Sequence, residues 1–260
     1  MTPNKEDYLK CIYEIGIDLH KITNKEIAAR MQVSPPAVTE MIKRMTPNKE
    51  DYLKCIYEIG IDLHKITNKE IAARMQVSPP AVTEMIKRMK SENLILKDKE
   101  CGYLLTDLGL KLVSELYRKH RLIEVFLVHH LDYTSDQIHE EAEVLEHTVS
   151  DLFVERLDKL LGFPKTCPHG GTIPAKGELL VEINNLPLAD IKEAGAYRLT
   201  RVHDSFDILH YLDKHSLHIG DQLQVKQFDG FSNTFTILSN DEDLQMNMDI
   251  AKQLYVEKIN

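Results

Sequence analysis

The chain has 260 residues, of which 43% are hydrophobic and 28% charged, and its net charge is −9. That length supports two domains or three small ones with ordinary cores, and the composition is that of a soluble globular protein. No apolar run approaches the ~20 residues of a membrane helix, the N-terminus has no signal-peptide core, and the acidic total weighs against a nucleic-acid binder, although local patches decide that more than the sum.

The opening stretch MTPNKEDYLK returns inside the chain: residues 1–45 recur without a mismatch at 45–89. Natural solenoid repeats drift and alter their terminal copies. Two identical copies, the second running on into unrelated sequence, instead indicate a recent duplication, or an artefact of cloning or of sequence assembly. Residues 45–260 are therefore read as the complete unit and 1–44 as an appended partial copy of its first segment. Cys11 and Cys55 are then one position, and with Cys101 and Cys167 they leave three widely spaced thiols. That is no disulfide framework, and it implies a reducing, cytoplasmic setting.

In chain order, 46–61 is an amphipathic helix with Tyr52, Ile56, Ile59 and Leu63 near helical spacing and Pro47 in its first turn. Residues 67–95 hold two more. Thr67 caps the first with Glu70 at the capping-box position, and Ser78 caps the second, with Pro79 and Pro80 where a missing N–H costs little. The link between them is short enough for a helix-turn-helix. Residues 94–106 alternate around a charged turn and predict a hairpin. A long helix follows over 105–131, two helices over 134–162, a loop-rich stretch over 163–186 and a short helix over 188–194. From Tyr197 strands dominate (197–202, 221–228, 234–238, 253–259) around a helix over 205–215, which predicts a small β-barrel of the SH3 type.

The first part has the pattern of a winged helix-turn-helix, whose second helix enters the major groove by its N-terminal residues. The positions exposed to DNA would be Ser78, Pro79, Pro80, Thr83, Lys87 and Arg88, with Lys97 and Lys99 reaching the backbone from the hairpin. Residues 78–99 carry five Lys/Arg against three Asp/Glu, a net positive stretch in an acidic chain. The plainer reading is a three-helix unit that only packs, with its basic residues on a solvated face.

Three ligand-rich clusters lie further on. Glu143, Glu146 and His147 share one helix face at i, i+3 and i+4; His120 and Glu124 are i, i+4 on the long helix; Cys167 and His169 sit two apart on a loop. Carboxylate and imidazole suit Mn²⁺ or Fe²⁺, and a thiolate admits Zn²⁺. Each cluster alone reads equally as a solvated face or a chance pair; three in one short region favour a metal protein.

The stretches EDYLKCIYE, EIAARMQVSPPAVTEMIKRM, LTDLGLKLVSELYRKHRLIEVFL, EAEVLEHTVS and CPHGGTIP make the chain resemble the diphtheria toxin repressor family of metal-dependent transcriptional regulators, in particular its streptococcal manganese regulators. The resemblance covers 45–260. It implies a mainly α protein with a small β domain: a winged helix-turn-helix at 45–107, a metal-binding and dimerisation domain at 108–186, and a linker helix with an SH3-like barrel at 187–260. It also implies a homodimer and two metal sites per subunit. One would be made by Asp51, Glu143, Glu146 and His147 with His120 close by, the other by Glu124, Cys167, His169 and Asp204. Lys54 stands where some manganese-sensing members carry a glutamate, so two separated single-ion sites are implied. Asp51, in sequence with the wing and the dimer helices, is assigned the metal in preference to its copy Asp7.

The expected function is a Mn²⁺-dependent, or Fe²⁺-dependent, repressor of metal-uptake genes that binds a palindromic double-stranded DNA operator, with no membrane partner and no catalytic activity. Zn²⁺ would also bind in vitro. Without metal, Asp51, Glu143 and Glu146 repel one another; their neutralisation fixes the two heads of the dimer for successive major grooves. A metal-dependent hydrolase and a metal-buffering interaction protein are the alternatives.

Overall fold

Helix α2 (Lys49–Asp62) opens the second copy of the repeated segment, and its sequence explains its face. Tyr52, Leu53, Cys55, Ile56 and Ile59 recur at helical spacing and are all buried. The computed structural model describes residues 24–34, 48–62, 65–134, 137–203, 205–239 and 242–259. Pro47, Leu63, Asp7 and Asp204 lie outside them. The chain divides into two compact units, 1–109 and 110–260.

In the first unit, α3 (Asn68–Arg74) begins with a complete capping box: the Thr67 side chain accepts from the Glu70 N–H while the Glu70 carboxylate accepts from the Thr67 N–H at 2.8 Å. Helix α4 (Pro79–Ser91) is capped by Ser78, which accepts from Ala81 N, and buries Val82, Ile86 and Met89 on one face. Met89 is fully buried, and cutting it to Ala would cost about 2–5 kcal/mol. Strands β1 (Ile95–Asp98) and β2 (Gly102–Leu105) form an antiparallel hairpin, the wing. The Ile66 N–H donates to Cys101 O at 2.8 Å, which ties the wing to the start of α3. Gly102 makes this approach possible: its φ is +83°, and a Cβ there would sit 2.0 Å from Ile66 O.

The described part of the first copy repeats the second. Helix α1 (Asn24–Met31) corresponds to α3, and Gln32 and Gln76 both turn at φ 53°. Val33 N donates to Ala28 O at 3.0 Å as Val77 N does to Ala72 O at 3.1 Å, and both alanines are buried.

The second unit has two cores. In one, Leu122, Ile123, Val125 and Leu127 of α5 (Asp107–Leu131) pack with Ile138 and Ala142 of α6 (Ile138–Glu146), with Val154 and Leu157 of α7 (Asp151–Leu160), and with Cys167 and Ile173. The other belongs to an antiparallel sheet of order β6-β5-β4-β3-β7: β3 (Gly195–Val202), β4 (Gln222–Asp229), β5 (Thr234–Ser239), β6 (Glu242–Asn247) and β7 (Leu254–Lys258). Leu199, Leu223, Phe235, Ile237 and Met246 face its core together with Ile208, Leu209 and Leu212 of α8 (Phe206–Lys214).

Two expectations change here. The sheet is open, with β6 and β7 as its edges, where a closed barrel was expected; bulges in β3 and β4 coil it, but among the described residues no ladder joins the edges. The helix expected over 188–194 shrinks to a 3-10 turn at Leu188–Asp190, because Ile191 leaves the helical region at ψ 128°. Strand β6 and the one-turn helix α9 (Met248–Ala251) had no counterpart in the sequence reading.

Candidate metal centre and DNA-binding face

Glu124 lies at the middle of α5 and is fully buried, although a carboxylate is among the side chains least often found inside a protein. What surrounds it explains how it stays there. The His120 Nε2, one turn earlier, is 3.1 Å from its Oε1, and the His169 Nδ1 is 3.2 Å from the same oxygen. His139 of α6 approaches too, its Nδ1 3.2 Å from His120 Nε2. Burial alone would raise the Glu124 pKa. The His120 and His169 charges and the hydrogen bonds from His120 and His139 outweigh it and hold the carboxyl well below the usual range. Its second oxygen, Oε2, is buried and makes no hydrogen bond.

The other face of His120 meets a second buried carboxylate, with Nδ1 2.6 Å from Glu146 Oε2. His147, at the C-cap of α6, places Nε2 3.2 Å from Glu146 Oε1. Two acceptor carboxylates on one imidazole demand positive charge at this point, and either protons or a divalent cation can supply it. The geometry offers two ligand groups sharing Glu124: His120, Glu124 and His139, and Glu124, Cys167 and His169, each with ligand atoms within 4.8 Å of one another. Carboxylate with imidazole fits Mn²⁺ or Fe²⁺, and the added thiolate widens the second group to Zn²⁺. The donor set and the orphaned Glu124 oxygen both fit a cation.

The loop holding Cys167 and His169 is braced from several sides. Cys167 N donates to Gly171 O, Gly170 N to Cys167 O, and Ile173 N to Lys165 O, so the loop closes on itself. Buried Arg121 holds it to α5 by donating to Thr172 O and to Glu182, both at 2.6 Å. Val202 N donates to His169 O at 3.0 Å, which docks the loop on β3. At Gly170, φ is +80° and a Cβ would lie 2.0 Å from Thr200 O, so only glycine fits.

Thus the structure gathers Glu124 with Cys167 and His169, and His120 with Glu124 and Glu146. Glu143 is half-exposed on α6, its Oε1 3.7 Å from His139 Nε2. Asp204 lies outside the described residues, two positions past the end of β3. Asp51 belongs to the first unit, where it closes the start of its own helix. Its Oδ2 accepts from Asn48 N at 2.7 Å while Asn48 Oδ1 accepts from the Asp51 and Glu50 N–H groups, a capping box for α2. His139 was missed in the sequence. Its position four before Glu143 was the available signal, but its partners His120 and Glu124 lie on another helix. Cys55 is no ligand candidate, since burial and Glu58 push its thiol up to about 12.

Of the residues expected to meet DNA, Ser78, Pro79, Pro80, Thr83, Lys87 and Arg88 are all exposed along α4, and Lys97 and Lys99 are exposed on the wing. Arg88 is shared with Glu92, which Lys49 also engages. A cavity of about 300 Å³ opens between the wing and the start of α3, and Lys65 lines it with Lys97 and Lys99. Lys65 is a cation that the sequence reading did not single out.

Comparison with known proteins agrees with this division of labour. The model for the iron dependent repressor N-terminal DNA binding domain matches twice, at residues 1–48 and 45–102. The model for the iron dependent repressor metal binding and dimerisation domain matches 106–175, and that for the FeoA domain 186–258. The chain is similar to the crystal structure of ScaR with bound Zn²⁺ (65% identity, 82% of this chain and 100% of that one, TM-score 0.79). It is also similar to the manganese regulator SloR (57% identity, 82% and 100%, TM-score 0.77). The diphtheria toxin repressor of Corynebacterium diphtheriae is 25% identical over 271 residues, spanning 100% of this chain and 99% of that protein. A shorter match, 39% identical over 72 residues, spans only 16% of a probable metal transport system membrane protein of Chlamydia trachomatis. Among the described residues no helix is long and apolar enough to cross a membrane. The chain belongs to the diphtheria toxin repressor family of iron-dependent repressors, DNA-binding transcriptional regulators under metal control and not enzymes.

Proposed function

We propose that this chain is a cytoplasmic, homodimeric repressor of metal-uptake genes that binds a two-fold DNA operator when loaded with Mn²⁺, and that accepts Fe²⁺ in the same role. The observation that carries this reading is Glu124, fully buried between two histidine-bearing ligand groups, in a chain that also presents an exposed winged helix-turn-helix. Manganese is favoured over iron by the likeness to SloR and to ScaR, a manganese-activated repressor. The domain division we propose is 45–107 for the head, 108–186 for metal binding and dimerisation, and 187–260 for the linker and β domain.

One site is assigned to Glu124, Cys167, His169 and Asp204. The other is assigned to Asp51 with Glu143, Glu146, His147 and nearby His120, and His139 joins the set around His120 and Glu124. A divalent cation bound there supplies the positive charge that the carboxylates require. Glu146 and Glu124 keep His120 oriented, and the Arg121 brace keeps Cys167 and His169 facing Glu124. Asp51 would add the head's carboxylate to the same ligand set, and a cation held by it would favour head positions that fit DNA. On the head, Ser78, Pro79, Pro80 and Thr83 meet base edges, while Lys87, Arg88, Lys97 and Lys99 meet phosphate.

Fluorescence anisotropy with a duplex from a manganese-uptake promoter, titrated with and without Mn²⁺, tests the reading. The expected result is binding that requires the ion and is lost on chelation. Equal binding in both conditions would sink it.

A further inference from the structure

Three exposed or half-buried side chains of the head form a chain of hydrogen bonds in which one direction is forced. The Thr83 hydroxyl donates to Pro79 O at 3.0 Å; a carbonyl can only accept, so the hydroxyl proton is committed there. Its neighbour Asn68, 3.1 Å away, must therefore present its amide N–H to Thr83 Oγ1. That orientation turns the Asn68 carbonyl toward Tyr103, whose phenol donates to it at 2.8 Å. Tyr103 lies on β2 of the wing, Asn68 is the first residue of α3, and Thr83 stands on the exposed face of α4. The wing is thus linked through one amide to a side chain on the groove-reading helix.

We propose that Asn68 and Tyr103 are positioning residues that fix the Thr83 hydroxyl as an acceptor-only group, so that Thr83 selects a base edge bearing an amino group. The inference rests on the DNA-binding reading above. Of the hydroxyl's two lone pairs, Asn68 occupies one, and its proton is held by Pro79. What remains for a base is one lone pair and the methyl group. In the major groove only adenine N6 and cytosine N4 donate; guanine offers N7 and O6, and thymine O4, all acceptors. A hydroxyl held this way meets guanine or thymine oxygen lone pair to lone pair. Asn68 holds Thr83 in the χ1 rotamer that seats its hydroxyl on Pro79 O; without it the side chain can swing to its other helical rotamer, where the hydroxyl is released to donate, and the discrimination falls.

The test uses the full Mn²⁺-loaded chain. Binding to a library of randomised duplexes yields the operator, and anisotropy on duplexes varied one base pair at a time gives the preference at each position. With the unsubstituted chain, one position per half-site prefers an amino-bearing base on the contacted strand by about tenfold. Asn68→Ala reduces that preference to within about threefold at that position and leaves the other positions unchanged. Tyr103→Phe produces a smaller change in the same direction, because Asn68 then loses the bond that steadies it and holds the Thr83 rotamer less firmly. Thr83→Ser keeps the preference; Thr83→Val removes it, and adding Asn68→Ala to Thr83→Val changes nothing further. If Asn68→Ala weakens every duplex by one common factor, Asn68 merely supports the fold and the proposal is overturned. An unaltered preference profile in Asn68→Ala or Thr83→Val overturns it equally. Failure of the unsubstituted chain to bind any duplex with Mn²⁺ would instead remove the DNA-binding reading itself, and it shows before any variant is made.

Discussion

The charges of the DNA-binding head and those around Glu124 live under opposite conditions. Lys87, Arg88, Lys97 and Lys99 stand in water, where an exposed pair such as Arg88 with Glu92 gains little and salt screens the rest. Glu124, Glu146, His120 and His169 are buried, where each needs partners to be tolerated at all. The difference separates two kinds of specificity. The head presents its cations to any polyanion in solution, while the buried carboxylates and imidazoles around Glu124 are arranged for one small positive charge among them.

This contrast is easiest to break at Glu124. Glu124→Gln leaves His120 and His169 facing a neutral amide and should cost about 3–5 kcal/mol of stability in urea unfolding, together with loss of the Mn²⁺-induced rise in Tm. A variant as stable as the parent, with its Mn²⁺ response intact, removes Glu124 from the centre of the site. Next in size is Cys167→Ser, which should lower Zn²⁺ affinity by about tenfold or more and Mn²⁺ affinity less; equal calorimetric changes for both ions make Cys167 structural. At the head, Lys97→Ala and Lys99→Ala should each reduce the salt dependence of DNA binding by about one unit of log–log slope, without altering base preference. An unchanged slope takes the wing off the phosphate backbone.

The smallest effect concerns the wing turn. Asp98 accepts the N–H groups of Cys101 and Glu100, and these bonds lower its pKa in the folded state. A depressed folded pKa means the carboxylate stabilises the turn above its unfolded value and that this support fades as pH falls through the folded pKa. Amide exchange in residues 98–102 should therefore lose protection on acidification, and Asp98→Asn should remove the pH dependence. Protection that persists in acid identifies other bonds as the holders of the turn.

Local features of the head were readable because their causes are local. Thr67 with Glu70 and Ser78 before two prolines announce helix starts within four residues of chain. The Glu124 neighbourhood was only partly readable, because His139 reaches His120 by the packing of α6 on α5, which no spacing encodes. The β domain was harder at its edge. Strand β6 reads as polar chain, since Leu244 and Met246 are its only apolar residues, and it becomes a strand by pairing with β5 from Ser239↔Glu242 to Thr234↔Asn247. The openness of the sheet is likewise a property of which strands meet, and composition is silent on that.

The duplicated segment leaves the molecule with a choice that ordinary sequences never face. Residues 24–34 and 68–78 have the same letters and the same turn, so no term internal to them can favour one over the other. The preference must come from beyond the repeat, where Lys90 follows one copy and Thr46 the other. Leu94, buried and bonded to Met89 O at 2.9 Å, and Cys101, accepting from Ile66, belong to the wing that only the second copy reaches. Among the described residues, the hairpin therefore marks the second copy apart from the first, through bonds to Ile66 and Met89 that lie outside the shared stretch 24–34 and 68–78.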